Sequence, residues 1–522
     1  SPNRDDSKYW RDNGEKYLNR ILKSQKINGV DVARNVIVFV GDGMSFATIA
    51  AGRILKGQMQ LASGEETEMV FESFPHIGLS KTYNIDKQVP DSAGTATALF
   101  TGIKTKLGAI CLNPASNDSK PSDRLKTIVD WAQAANKRTG IVTTTRITHA
   151  TPAATYAYAY TSSHKDIARQ LIEDKPGRNM NVVFGGGRDF LGASIHEEIK
   201  IQFKGSSEIS CKRNDSQNLV EKYLKQFDKR MNVKYVTNTG ELSDLDTENV
   251  DQVLGLFANN HMPYESLREK GSQGAPSLTE MTKSAIKILN NKKNRNGYLL
   301  VVEGGKIDQA HHQNLARLAL EEMVEFERAI QEAVAMTSPD TLILVTADHA
   351  HSMVLNGYPA RGNDIFSVIT KADVMEPYET LVYATGPGFY MHHTSMETNS
   401  TFIPLSNFSA KQRAEPTYQH SSLIAASDSM HSGRKSLNFV KMLVFLPLGQ
   451  DQIWVILSID VCKEVNLKPL IVSVQGVFEQ SYIAYVVSFS SCIGPLSNRN
   501  PACLGQKITN GSTDVSSRNS LV

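Results

Sequence analysis

Several apolar runs of strand length recur along the chain, each followed within a few residues by Gly, Asp or His. They are Asn35–Val40 (NVIVFV), Ile141–Thr144 (IVTT), Val182–Phe184 (VVF), Tyr298–Val302 (YLLVV) and Leu342–Val345 (LILV). Between them, Leu125–Ala135 and Leu315–Met336 carry helical spacing. In the second, Leu315, Leu318, Ala319, Met323, Phe326, Ala329, Ile330 and Ala333 recur at three- and four-residue steps, the period of one helix face. Near-continuous β-branched strands alternating with amphipathic helices predict an α/β fold: a large, mostly parallel central sheet with helices on both faces. Residues 1–522 read as a single domain without sequence repeats. The Ser/Asn-rich stretch 113–123 and the lid-like region 391–435 read as insertions rather than linkers.

The segment 434–476 breaks the pattern. Asn438–Val461 is the most apolar window in the chain, but Lys441, Pro447, Gly449, Gln450, Asp451 and Gln452 interrupt it. No unbroken run of ~20 apolar residues remains, so two buried or edge strands are expected there rather than a membrane helix.

Composition narrows the class. A chain of 522 residues can bury roughly three-quarters of its unfolded surface and needs no disulfide or metal merely to fold. Its 56 Lys+Arg against 54 Asp+Glu leave a net charge of +2, without the basic stripe of a nucleic-acid binder. Lys292, Lys293 and Arg295 read as a solvated loop. A chain beginning at Ser1 without a signal peptide reads as processed or as a fragment, and its polar end (STDVSSRNSLV) lacks the tail of a lipid-attachment signal. Asn-x-Ser/Thr sequons at Asn117, Asn214, Asn399, Asn407 and Asn510 together suit a secreted or cell-surface glycoprotein. Cys492 and Cys503 read as a loop staple, and an odd count of 5 cysteines leaves at least one thiol unpaired within the chain.

The ionisable residues gather at strand ends, where open α/β sheets bind ligands. The first run leads into Gly41-Asp42-Gly43, the fourth into Glu303-Gly304-Gly305 and then Asp308. The fifth leads into Asp348-His349-Ala350-His351, and the second towards His149 and Thr151. One Asp-Gly is usually a turn; four such ends on one rim point to a site. Asp308 and His312 are spaced i, i+4, on one face of any helix starting there. Carboxylate and imidazole donors in this number suit zinc and a polynuclear centre, because carboxylates this close repel one another without cations. His311 is expected behind the ligands or exposed. Ser92, in Asp91-Ser92-Ala93-Gly94-Thr95-Ala96-Thr97-Ala98, is the candidate nucleophile. Asp91 suits an N-cap, and a serine in the first turn meets free N–H groups that favour phosphate. Taken alone, that motif reads first as a capped helix packed on the sheet.

Together these residues resemble alkaline phosphatase. The resemblance rests on Asn35–Met44 (NVIVFVGDGM), Arg53–Gly57 (RILKG), Asp91–Ala98 (DSAGTATA), Val142–Pro152 (VTTTRITHATP), Phe184–Arg188 (FGGGR), Glu303–His312 (EGGKIDQAHH) and Ala347–His351 (ADHAH). Gly78–Lys87 (GLSKTYNIDK) resembles the animal and particularly the insect form. The resemblance implies phosphate-monoester hydrolysis through a phosphoserine on Ser92, with two zinc ions and one magnesium. It assigns Asp308, His312 and His431 to one zinc, and Asp42, Asp348 and His349 to the second, which Ser92 faces. Asp42, Thr151 and Glu303 fall to magnesium, with His149 and His351 standing behind the ligands. His431 lies in the looser motif Ser427–Gly433 (SDSMHSG), at the end of the 391–435 insertion, which resembles the family's crown. A homodimer and lipid (GPI) attachment of a precursor at the cell surface are likewise implied.

Departures from the family pattern qualify that expectation. Tyr156–Ile167 reads YAYAYTSSHKDI, shortened, with Ser162 about where a phosphate-clamping Arg belongs. Lys165 or His164 replaces at most the charge, not bidentate pairing. The same contraction removes the usual partner of Cys111 and leaves the pairing of Cys211 and Cys462 open. Lys306 and Gln309 stand where Arg and His are usual. Phe257 is present, but Ala258 and Ala275 occupy carboxylate positions of a calcium site, so no calcium is expected. After Gly433 the family pattern gives way to the 434–476 segment, either a divergent insertion or a mis-joined stretch, and resumes at Val477. A catalytically weak or silent phosphatase-fold protein that binds phosphorylated ligands is the alternative reading.

Overall fold

Each of the five apolar runs forms a strand in the computed structural model, which describes residues 6–24, 32–115, 123–161, 163–193, 213, 215–369, 377–393, 403–425, 454–461 and 476–503. Among the described residues the central sheet has ten strands: β1 Asn35–Gly41, β2 His76–Lys81, β3 Arg138–Arg146, β4 Val182–Gly186, β5 Val233–Val236, β6 Gln252–Leu256, β7 Tyr298–Gly304, β8 Thr341–Ala347, β9 Trp454–Val461 and β10 Gly476–Glu479. Their order is β10-β2-β9-β8-β1-β7-β3-β4-β6-β5. From β8 to β5 all neighbours run parallel.

The antiparallel member is β9, paired with β8 from Leu342↔Val461 to Thr346↔Leu457 and with β2 from Trp454↔Lys81 to Ile459↔His76. It comes from the atypical 434–476 segment, whose remaining residues, apart from Gly476, lie outside the described ones. Among the described residues no helix is long and apolar enough to cross a membrane.

Helices cover both faces of the sheet. One layer holds α2 (Ser92–Thr101), α3 (Ile128–Ala134) and α7 (Tyr482–Ser490). The other holds α4 (Leu278–Leu289) and α6 (Ala316–Met336). Two further helices, α1 (Phe46–Met59) and α5 (Lys306–His312), follow strands β1 and β7. Side chains alternate across the sheet as strand geometry requires. Val36, Val38, Val40, Leu299, Val301, Leu342 and Leu344 pack with Ala96, Leu99 and Phe100 of α2. Ile37, Phe39, Leu300, Val302, Ile343 and Val345 pack with Met281, Ile288, Met323 and Phe326 on the opposite side. Each such burial contributes about 1.5–3 kcal/mol. That gain, on both faces, keeps the central strands free of charge until they reach the rim.

Register then sets the rim. Gly41 pairs with Ala347 on one side and Gly304 on the other, so β1, β7 and β8 end level. Asp42 and Asp348 are the next residues out, while Glu303 sits one step inside, opposite Val40 and Thr143. Beyond α7, Cys492 and Cys503 form a disulfide with Cα atoms 5.4 Å apart, as their spacing suggested. Cys111 is a buried free thiol that donates to the Ala154 carbonyl. Cys211 and Cys462 fall outside the described residues.

Candidate metal centre and nucleophile

Ser92 opens α2. Its N-cap Asp91 accepts from Gly94 N, leaving the helix's first turn aimed at the rim. The Ser92 hydroxyl donates to Asp42 Oδ1 at 3.3 Å and lies 3.1 Å from His349 Nε2. His349 Nδ1 is 2.9 Å from the Ala350 carbonyl, which can only accept. In the neutral ring the proton therefore sits on Nδ1 and the Nε2 lone pair faces Asp348, Asp42 and Ser92, the tautomer a metal ligand needs. Asp348 is held by Gly43 N at 3.1 Å and by Thr95 Oγ1 at 3.2 Å. Gly43 is required there: its φ is +67° and a Cβ would stand 2.9 Å from Asp308 Oδ1.

Asp42 also belongs to a group with Glu303 and His149. Glu303 Oε2 accepts from Thr143 at 2.5 Å and Thr145 at 3.2 Å. The Thr151 hydroxyl faces Glu303 and favours its charged form without reaching hydrogen-bond geometry. His149 begins the short helix Ala150–Ala153 that carries Thr151.

The remaining group is Asp308, His312 and His351. The expected i, i+4 pair lies on α5, with His312 Nε2 3.3 Å from Asp308 Oδ2. His351 is different in kind. Ser352 N donates to its Nδ1 at 2.8 Å, so the neutral ring carries its proton on Nε2, 3.7 Å from Asp308 Oδ1. A protonated nitrogen cannot ligate, and the 3.7 Å gap leaves His351 beside Asp308 Oδ1 without a hydrogen bond to it. His311 is wholly buried between Thr48 and Tyr383 rather than exposed.

Burial and mutual repulsion shape the charges. Burial, then Asp348, Asp308 and Glu303, hold Asp42 well above the ordinary carboxylate range. Glu303 is pushed up to about 7, chiefly by burial, with Asp348 adding to it. Burial also raises Asp348, with His349 acting against it. At Asp308 burial would raise the carboxyl, but His312, His351 and His349 override it and hold it low. Burial pushes His311 down to about 3. Glu303 Oε1, Asp308 Oδ1 and Thr151 Oγ1 are buried without hydrogen-bond partners. Buried polar oxygens of this sort are costly unless something pairs them. Cations do so directly, and the donor set suits them.

His431 and Ser162 fall outside the described residues, and of the five sequons the residues Asn117, Asn214, Asn399 and Asn510 do as well. Asn407 is exposed. Phe257, Ala258 and Ala275 are buried in the second apolar cluster. Sequence reasoning did not find His261, which lies 2.8 Å from Gln309 Nε2, 2.6 Å from an Arg146 guanidinium nitrogen and edge-on to His149. Nor did it find Thr143 and Thr145. A hydroxyl run at the end of a strand that borders Glu303 was the available signal.

An α/β sheet carrying three carboxylate–imidazole groups beside a serine in the first turn of a helix fits an enzyme of the metal-dependent hydrolase class. The comparisons agree. A family model described as alkaline phosphatase matches residues 33–493. The chain is 42% identical to alkaline phosphatase 4 of Drosophila melanogaster, over 96% of this chain and 84% of that protein. It is 39% identical to the membrane-bound alkaline phosphatase of Bombyx mori, over 71% of this chain and 70% of that one. The fold matches the crystal structure of Thermus thermophilus alkaline phosphatase with a TM-score of 0.59 at 21% identity, covering 92% of this chain and 96% of that one. The chain belongs to the alkaline phosphatase family, insect-like among its animal members, and is by that membership a metal-dependent phosphoric monoester hydrolase.

Proposed function

We propose that the protein hydrolyses small phosphate monoesters through a phosphoserine on Ser92. The observation that carries the reading is the Ser92 hydroxyl, held 3.3 Å from Asp42 and 3.1 Å from His349 Nε2 at the first turn of α2. Ser92 Oγ gives its proton to solvent and bonds to phosphorus as the ester P–O bond breaks, and the leaving alkoxide takes a proton back from solvent, so the alcohol departs with no net proton change. Water then cleaves the phosphoserine, returning Ser92 and inorganic phosphate. The N–H groups opening α2 favour the phosphoryl oxygens.

Asp42, Asp348 and His349 would hold one zinc, and Asp308 and His312, with His431, a second. Asp42, Thr151 and Glu303 would hold magnesium, with His149 beside them. The ions would supply charge neutralisation and a lowered pKa for the Ser92 hydroxyl and for water. Calcium is left out, because Ala258 and Ala275 offer no carboxylate. The family resemblance supports a homodimer. The sequons, together with the membrane-bound relative, support an extracellular or cell-surface location and lipid attachment of a precursor.

The test is turnover of a chromogenic phosphomonoester with Zn²⁺ and Mg²⁺, with and without chelator, beside Ser92→Ala. Chelator-sensitive turnover above that variant is expected, with phosphate trapped on Ser92 at low pH. Its absence defeats the enzymatic reading. The absent Arg in Tyr156–Ile167 favours a second reading, a silent phosphatase fold that retains metals and binds inorganic phosphate without turnover.

A further inference from the structure

We infer that His311, clamped between Tyr383 and Thr48, is a positioning residue for the Asp308–His312 metal group, acting through His351. The inference rests on the metallophosphatase reading above and adds residues to it that the family motifs do not assign.

Consecutive residues of a helix point about 100° apart, so His312 turns to the rim and His311 turns inward. The His311 ring is fully buried. Its Nε2 lies 2.9 Å from Thr48 Oγ1 and its Nδ1 2.9 Å from the Tyr383 hydroxyl. Both partners are hydroxyls, which donate or accept as required. Either tautomer is therefore satisfied, and any rotation of the ring loses both bonds. Each partner is itself anchored. Thr48 lies within 3.0 Å of the N-cap Ser45 Oγ at the start of α1, just beyond Asp42 and Gly43. Tyr383 stands on the strand Leu381–Gly386, opposite Met353 and bonded to the Ser421 carbonyl. One imidazole thus ties together the segments following β1, β7 and β8.

What the clamp holds is His351. The two rings stack with centroids 5.2 Å apart and planes inclined by 27°, while His312 meets the His351 ring edge-on at 4.7 Å. Ser352 N fixes His351 within its own plane. Stacking on His311 fixes the tilt of that plane, and with it the surface that His351 presents to the edge of His312 and, 3.7 Å away, to Asp308 Oδ1. A histidine that merely filled the core would need no such column.

Zinc release to excess chelator, followed with a colorimetric indicator on the full chain, tests this without reference to turnover. Tyr383→Phe removes one hydroxyl and keeps the ring. It should speed release of one zinc about tenfold, the low end of outer-shell effects on metal sites, with the second zinc unchanged and the thermal midpoint lowered only by the loss of one buried hydrogen bond. His311→Phe should speed the same zinc, His311→Gln should partly restore it, and the double variant should add nothing to His311→Phe. Unchanged release in Tyr383→Phe and His311→Phe overturns the inference. So does a uniform acceleration of both zinc ions with a falling midpoint, which is what a packing role alone would give. A wild-type chain that retains no zinc removes the metallophosphatase reading, and this inference with it.

Discussion

Replacing Lys104 by Met should change how stability depends on pH more than it changes stability itself. Lys104 is 1% exposed; its ammonium donates to the carbonyls of Lys81 and Tyr83 at 2.8 Å each, lies over the Tyr83 ring and stands 3.7 Å from Glu479. Burial nonetheless dominates and pushes its pKa from 10.5 down to about 7, with Glu479 acting in the opposite direction. Between those values the unfolded chain binds a proton that the folded chain gives up. Stability therefore rises with pH through that window, by up to ~1.4 kcal/mol per pH unit. From pH 7.5 to 9.5 the wild type should gain about 2–3 kcal/mol relative to Lys104→Met. The lost hydrogen bonds to the two carbonyls cost about the same at both pH values. Urea unfolding of both proteins at the two pH values, with metals held constant, measures the difference. A gap between wild type and variant that stays the same from pH 7.5 to 9.5 would refute the reasoning.

Three further outcomes are expected. Gly43→Ala forces an L-residue to a φ of +67° and brings its Cβ to 2.9 Å from Asp308 Oδ1; it should cost about 1–2 kcal/mol and weaken metal retention, read by metal analysis after dialysis. Asp91→Ala removes the cap on Gly94 and the bonds from Asn84 Nδ2 and Gly108 N. It should cost about 1–2 kcal/mol in denaturant unfolding and lower turnover, since Ser92 is the next residue. Ser162→Arg should raise turnover of a phosphomonoester by up to ~10²-fold if the missing clamp limits the rate; an unchanged kcat/KM shows that it does not.

The sheet was legible because parallel strands are buried on both faces and read as continuous apolar runs. The rim was legible because those runs end in Asp, Glu and His. The Asp308 and His312 pair followed from helical spacing alone. What spacing could not carry was depth and direction. His311 and His312 are neighbours in sequence, and only the packing of Thr48 and Tyr383 against α5 shows that one is sealed in while the other meets the rim. The resemblance already set His349 apart from His351; the physical difference, one backbone bond each, to Ala350 O and from Ser352 N, shows only in the fold. His261 escaped notice for a similar reason. Its partners Arg146, at the end of β3, and Gln309, on α5, are distant in sequence, and nothing around residue 261 marks it. The role of β9 was also hidden, since an irregular apolar segment gives no hint that it pairs between β8 and β2.

The level ending of β1, β7 and β8 makes the centre a gauge of folding as well as a site. Gly43 and Asp348, which touch at the rim, are 305 positions apart in the chain. Contacts of that span form late, because the intervening chain must be ordered before they can close. A slip of one residue between β1 and β8 would send every alternate side chain to the opposite face and move Asp42 out of reach of Asp348. No fragment that breaks the span from Asp42 to His349, and no mis-paired sheet, can assemble the described donors. Tight metal capture is therefore a test of correct register across most of the polypeptide, and a zinc-binding trace during refolding would time the closure of the whole sheet.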